Sequence, residues 1–118
     1  MTPFERTITA TPEDIDELGH VNNAVWVRWI QAVATAHWQA VAPREHRDSY
    51  IWIVTRHEID YARALHVGET ATATTWVGDT SGATSLRYTR LTRAADGVLL
   101  CEAETTWVLL DPKSGRPV

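Results

Sequence analysis

Asp14, Asp16, Glu17, Gly19 and His20 fall within one short stretch, directly ahead of Val21-Asn22-Asn23 and a long apolar segment. Carboxylates and imidazoles move protons near neutral pH, and a glycine among them lets a ligand approach the backbone closely. Asn22 and Asn23 are helix N-cap types, whose side-chain oxygen accepts from the unpaired N–H groups of a first turn. Those N–H groups and the helix dipole favour negative charge, such as the oxyanion formed in acyl transfer. Chemistry at this point of the chain is therefore physically reasonable. Each residue also has a plainer use: Asp shapes turns through its own backbone hydrogen bonds, glycine serves any tight turn, and a histidine at a helix entrance is often structural. Asp14 is read as a solvated turn residue.

The helix that must position these groups is expected over Ala24 to Val41. Val25, Trp26, Trp29, Ile30, Val33, Ala34, Trp38 and Val41 recur at helical spacing, and Arg28, Gln31, Thr35 and Gln39 form a thin polar stripe. Something must wrap a helix this apolar. A first strand is expected over Thr2 to Thr11, ended by Pro12, and a polar loop over Ala42 to Ser49. Four strand-like runs follow: Tyr50 to Tyr61, Thr70 to Val77, about Ala83 to Arg93, and Val98 to Leu110. Gly78 to Gly82 and the hairpin pair Asp96-Gly97 serve as turns. In the first run Ile51, Ile53, Ile59 and Tyr61 are assigned to one face, with Arg56, Glu58 and Asp60 opposite. The pattern is α+β, an antiparallel sheet of five strands curled around one central helix, in a single domain over residues 1–118.

Asp16-Glu17-Leu18-Gly19-His20-Val21-Asn22-Asn23, followed by Trp26 and by Arg28-Trp29, resembles the signature of the hotdog-fold acyl-CoA thioesterases, the 4-hydroxybenzoyl-CoA thioesterase superfamily. Glu58-Ile59-Asp60-Tyr61, Val67-Gly68-Glu69 and the closing Val108 to Val118 also fit its habits. The resemblance implies a hotdog fold and hydrolysis of an acyl-CoA or acyl-carrier-protein thioester. It makes Asp16 the catalytic carboxylate, as nucleophile or general base, and the backbone N–H of Asn23 the oxyanion donor. Gly19 and His20 complete the catalytic set, with His20 either orienting substrate or structural. Asn22, Trp26 and Arg63 are substrate-binding candidates, Arg63 for a coenzyme A phosphate, a role also open to Arg87, Arg90 or Arg93. Hotdog proteins pair their sheets across a dimer and often dimerise again, with active sites at the interface, so a homodimer or homotetramer is expected.

The chain departs from the family pattern at Gln31, where relatives commonly carry a carboxylate, at Trp26 in place of a usual Tyr, and at Ala64 in place of a frequent Pro. Gln31 is the best argument for a non-catalytic hotdog that binds acyl thioesters. A dehydratase would need a different placement of His and acid.

Other classes are disfavoured. The net charge of −4 argues against nucleic acid and anionic membrane surfaces as partners. One cysteine, Cys101, excludes an internal disulfide and a cysteine zinc cluster, and suits a cytoplasmic protein. Alternation puts Cys101 on the dry face of the last strand, unsuited to be a nucleophile. The histidines are scattered, so no metal and no cofactor is expected. Neither a signal peptide nor a membrane span is indicated.

Overall fold

A computed structural model describes residues 3–118; the expected strand start at Thr2 lies outside them. The elements in order are β1 (Phe4–Thr9), a 3₁₀ turn (Pro12–Asp14), α1 (Asn23–Val41), α2 (Arg44–Ser49), β2 (Ile51–Tyr61), β3 (Thr70–Ser81), β4 (Thr84–Arg93), β5 (Leu99–Asp111) and the two-residue β6 (Arg116–Pro117). Among the described residues, one antiparallel sheet runs β1-β3-β4-β5-β2, with β6 added to β5. It curls around α1, the α+β arrangement expected from the sequence.

The faces of α1 explain how so apolar a helix stays in water. Val25, Trp26, Trp29, Ile30, Val33, Ala34 and His37 are buried, whereas much of the outer face is small, with Ala24, Ala32 and Ala40 exposed. Small side chains also line part of the floor: Ala71 and Ala73 of β3 are fully buried in the same core as Leu65, Leu91, Leu100, Cys101 and Ala103. Short side chains here let helix and sheet pack at interior density.

Three expectations change. The segment assigned to a polar loop contains α2, which begins after Pro43 as N-cap and carries Glu45 in its first turn and His46 and Arg47 in its last, in the order the helix dipole favours. The turn expected at Gly78 to Gly82 is narrower: Ser81 and Thr84 still pair, around Gly82-Ala83, with Gly82 at φ +59. Only glycine takes that conformation at little cost in a two-residue hairpin.

The third change concerns β2. Its partners on β5 step from Val54↔Trp107 to Arg56↔Thr106, leaving Thr55 as an extra residue. A bulge of this kind reverses the alternation. Ile59 packs against the core, while Ile51 and Ile53 are 46% and 40% exposed and do not share its face. In their place Trp52 packs edge-on against Trp38 of α1.

Cys101 is fully buried, and burial pushes its thiol up to about 12. The native protein should therefore leave a thiol reagent unreacted at pH 8, and the unfolded chain should react once; rapid labelling of the native state would contradict the packing. Leu91 is fully buried. Leu91→Ala should lower the free energy of unfolding by about 2–5 kcal/mol, read by urea denaturation.

Candidate functional site

The stretch from Thr11 to Asn22 is closed on itself and tied to the rest of the fold by backbone bonds. Asp14 Oδ2 accepts from the Thr11 N–H and hydroxyl at 2.9 and 3.0 Å. The carbonyl of Asp14 accepts from Asn22 N–H at 2.9 Å, Ile15 and Val21 form an antiparallel bridge, and Val21 N–H donates to the carbonyl of Leu65 at 2.9 Å. Asp14 thus shapes the loop instead of lying free in solvent. Its bonds bring the chain back to the start of α1 in one conformation.

Inside that closure Asp16 N–H donates to the carbonyl of His20, and Gly19 N–H returns to the carbonyl of Asp16 at 3.0 Å. Gly19 takes φ +83, which a side chain would strain although nothing lies within 4 Å of the Cβ position. Asp16 Oδ1 accepts from Leu18 N–H at 2.9 Å, and Oδ2 has no partner among the described residues. The carboxylate is aimed by one oxygen and open at the other.

Asn22 caps α1, its Oδ1 accepting from Ala24 N–H at 2.8 Å. Asn23 is the first helical residue, and its N–H has no acceptor among the described residues. The sequence placed Asp16, Gly19, His20, Asn22 and Asn23 together, and the loop bonds bring Asp16, Gly19, Asn22 and Asn23 to one helix start.

The remaining candidates separate. His20 is exposed and meets His66 edge-on, ring centroids 5.3 Å apart; His66 in turn pairs with Glu69 at 3.0 Å. Trp26 is 3% exposed and packs edge-on with Trp29 inside the core, so its ring lies beneath the site. Arg63 is exposed, on the segment between β2 and Leu65, with Nη1 donating to the carbonyl of Ala62. Arg90 pairs with Glu102, and Arg93 with Asp96 and Glu69. Arg87 is not on the outer face at all: its Nη1 donates to His37 Nδ1 of α1 and to Thr75 Oγ1.

Two features were missed. Tyr61 donates its hydroxyl to the carbonyl of Asn23 at 3.2 Å, tying β2 to the helix start. Its place at the end of Glu58-Ile59-Asp60-Tyr61 was the available signal. A polar layer also runs between helix and sheet: Gln31 Nε2 lies 3.1 Å from His57 Nε2, and His57 Nδ1 lies 2.9 Å from Thr105 Oγ1. Gln31, read from the sequence as part of a thin polar stripe, faces the sheet. Because the bulge at Thr55 turns His57 inward, regular alternation gave no such signal.

Two cavities among the described residues lie elsewhere, and neither is lined by Asp16, Gly19, His20 or Asn23. One lies between the C-terminal half of α1 and the sheet; the other lies on the outer sheet face, among Glu58, Asp60, Glu102 and Glu104. In a single chain the loop site sits at the surface. No group of three or more His, Cys, Asp or Glu among the described residues could hold a metal ion. Among the described residues no helix is long and apolar enough to cross a membrane.

Asn22→Ala should cost about 1 kcal/mol of stability by removing the cap, measured by thermal unfolding. The buried imidazoles add a pH dependence. His57 is held below its ordinary value of 6.5 by burial, and His37 by burial and then by the Arg87 cation. The unfolded chain therefore takes protons first as pH falls. Stability is full above about 6.5 and is lost as pH drops through the lower folded values. Unfolding midpoints should fall between pH 7 and pH 5; a flat profile would mean the rings are not held neutral.

Comparison with known proteins agrees with this architecture. The model of the thioesterase-like superfamily matches residues 10–118. A 1,4-dihydroxy-2-naphthoyl-CoA thioesterase from Synechocystis superimposes with a TM-score of 0.86 at 13% identity, over 99% of this chain and 88% of its own. A hypothetical protein from Staphylococcus aureus solved in complex with CoA gives 0.89 at 21% identity, over 99% and 75%. A predicted thioesterase from Bacillus stearothermophilus gives 0.87 at 22%, over 98% and 86%. No curated protein sequence matches the chain. The match over nearly its whole length, on a curled sheet around one helix, makes this chain a member of the thioesterase-like superfamily.

Proposed function

We propose that this chain hydrolyses acyl-CoA thioesters at the start of α1. The observation that carries the reading is the pairing, at one helix start, of a carboxylate aimed through Oδ1 with its Oδ2 open and an Asn23 N–H without an acceptor. Asp16 takes a proton from water as the water oxygen bonds to the thioester carbonyl carbon, and the carbonyl oxygen gains negative charge beside Asn23 N–H. Collapse of that intermediate breaks the C–S bond and releases the thiol, which receives the proton. Alternatively Asp16 Oδ2 attacks the carbonyl itself, expelling the thiolate and leaving an acyl anhydride for water to cleave. Both routes use the same two groups.

Membership of the superfamily supports thioester hydrolysis in general. Coenzyme A as the carrier is supported by the naphthoyl-CoA thioesterase and the CoA complex among the structural neighbours. Gly19, bare at its Cβ position, admits the thioester, His20 and Asn22 flank it, and exposed Arg63 takes a coenzyme A phosphate. Trp26 supports the helix start from below. The surface position of the loop fits a site completed by a second copy. The eleven-residue edge strand β2, with Ile51 and Ile53 exposed, is the edge that would pair.

Thiol release from a panel of acyl- and aryl-CoA esters tests the reading. Asp16→Asn should lose at least about 10²-fold in kcat while keeping its far-UV spectrum and melting point. Equal turnover by wild type and variant would remove Asp16 from the mechanism. Thiol release only from carrier-protein thioesters would change the carrier and keep the chemistry. Light scattering at micromolar concentration should give a dimer or tetramer, and a monomer would refute the shared site.

A further inference from the structure

A cavity of about 800 Å³ lies between the C-terminal half of α1, α2 and the far ends of β2, β3, β4 and β5. Its first α1 residue, Ala34, is eleven residues from Asn23, roughly 16 Å along the helix at about 1.5 Å per residue. The volume is in the range of small-molecule pockets, roughly 300–1,000 Å³. Trp38, Trp52 and Trp107 give it large apolar walls. Its charged lining is one-sided: Arg47 and Arg87 are present, and none of the lining residues is Asp or Glu.

Arg87 is the unusual group. A guanidinium on the inner face of a sheet is normally matched by a carboxylate, because an unpaired charge is costly away from water. Here Nη1 spends its bonds on neutral partners, His37 Nδ1 at 2.9 Å and Thr75 Oγ1 at 3.2 Å. Nε and Nη2 have no protein acceptor among the described residues. Burial works against the cation, holding its pKa below the ordinary arginine value. On the same wall the indole N–H of Trp107 is buried with no acceptor. An acid-rich chain of net charge −4 therefore keeps two arginines, and no acid, around an apolar cavity.

We propose that this cavity binds a hydrophobic carboxylate, an aryl or medium-chain acid whose carboxylate meets the open edge of Arg87 and whose body lies among the three tryptophans. A planar guanidinium offers two parallel N–H donors to a carboxylate. The carbonyl end of α1 disfavours an anion only within its last turn. Arg87 meets α1 at His37, before that turn, and Arg47 of α2 adds a second cation. The assignment requires nothing of Asp16, and binding can be measured without turnover.

Isothermal titration of the full-length protein with 2-naphthoate, and with uncharged 2-naphthamide, tests it. Naphthoate should bind saturably, and naphthamide, of nearly the same shape, about tenfold to a hundredfold more weakly. Arg87→Gln should reduce the preference for the acid to near unity. Arg87→Lys, which keeps the charge and loses the fork, should retain part of it. Equal binding of acid and amide by wild type would overturn the proposal even if no Arg87 variant folds. So would an Arg87→Gln protein, folded by circular dichroism, with undiminished preference. The source of the ligand follows from inhibition of thiol release: competitive inhibition by naphthoate identifies the acid product, and non-competitive inhibition a separate effector acid, both with the Arg87 dependence intact.

Discussion

Everything at the start of α1 depends on a few backbone bonds that close the preceding loop. A helix start is a useful anion site only if the chain before it leaves the first N–H groups uncovered. The bonds Asn22 N–H to Asp14 and Asp16 N–H to His20 do this within the loop, and Val21 N–H to Leu65 does it by tying the loop to the segment after β2. Asn22 caps one donor of the first turn and leaves Asn23 N–H without an acceptor. Gly19 makes the closure possible, since the chain reverses there at φ +83. Loop, cap and helix act as one unit, and the Leu65 and Tyr61 bonds attach that unit to the sheet.

The sequence was most legible where a residue's own backbone preference decided the outcome. Pro12, Asn22, Gly19 and Asp96-Gly97 are read from local chemistry, and the structure uses each as a boundary, cap or turn. The apolar repeat of α1 was legible because burial at helical spacing leaves a strong period. Members of the loop are neighbours in sequence, so their grouping at the start of α1 was legible. What escaped depended on pairing between distant segments. One extra residue at Thr55 reverses the faces of β2, and nothing in Ile51-Trp52-Ile53-Val54-Thr55 announces it. Arg87 resembled any exposed strand arginine, because its inward aim is set by β3 and by His37, far away in sequence.

The two ends of α1 have different characters for related reasons. At the N-terminus, donors and a carboxylate meet at the surface in a loop held by backbone bonds. At the C-terminal half, Trp38 and Trp52 pack edge-on against each other, and together with Trp107 they line an open cavity. Small residues on β3, Ala71 and Ala73, share the buried core with α1, whereas bulky rings line the open space farther on. Alanines and tryptophans on facing elements therefore decide where this small core is solid and where it is open.

The polar layer between α1 and the sheet has a mechanical meaning. Gln31 meets His57, and His37 meets Arg87, on two successive stretches of the helix. An apolar interface alone tolerates sliding, since one aliphatic contact substitutes readily for another. Moving α1 along its axis by a turn, about 5.4 Å, would strand an amide, two imidazoles and a guanidinium against hydrocarbon, each at a cost of about 1–3 kcal/mol or more. The layer works as a key in a lock, admitting one axial setting of the helix. It fixes where each end of α1 stands against the sheet, so that the loop at one end and the cavity at the other keep their places on the same strands.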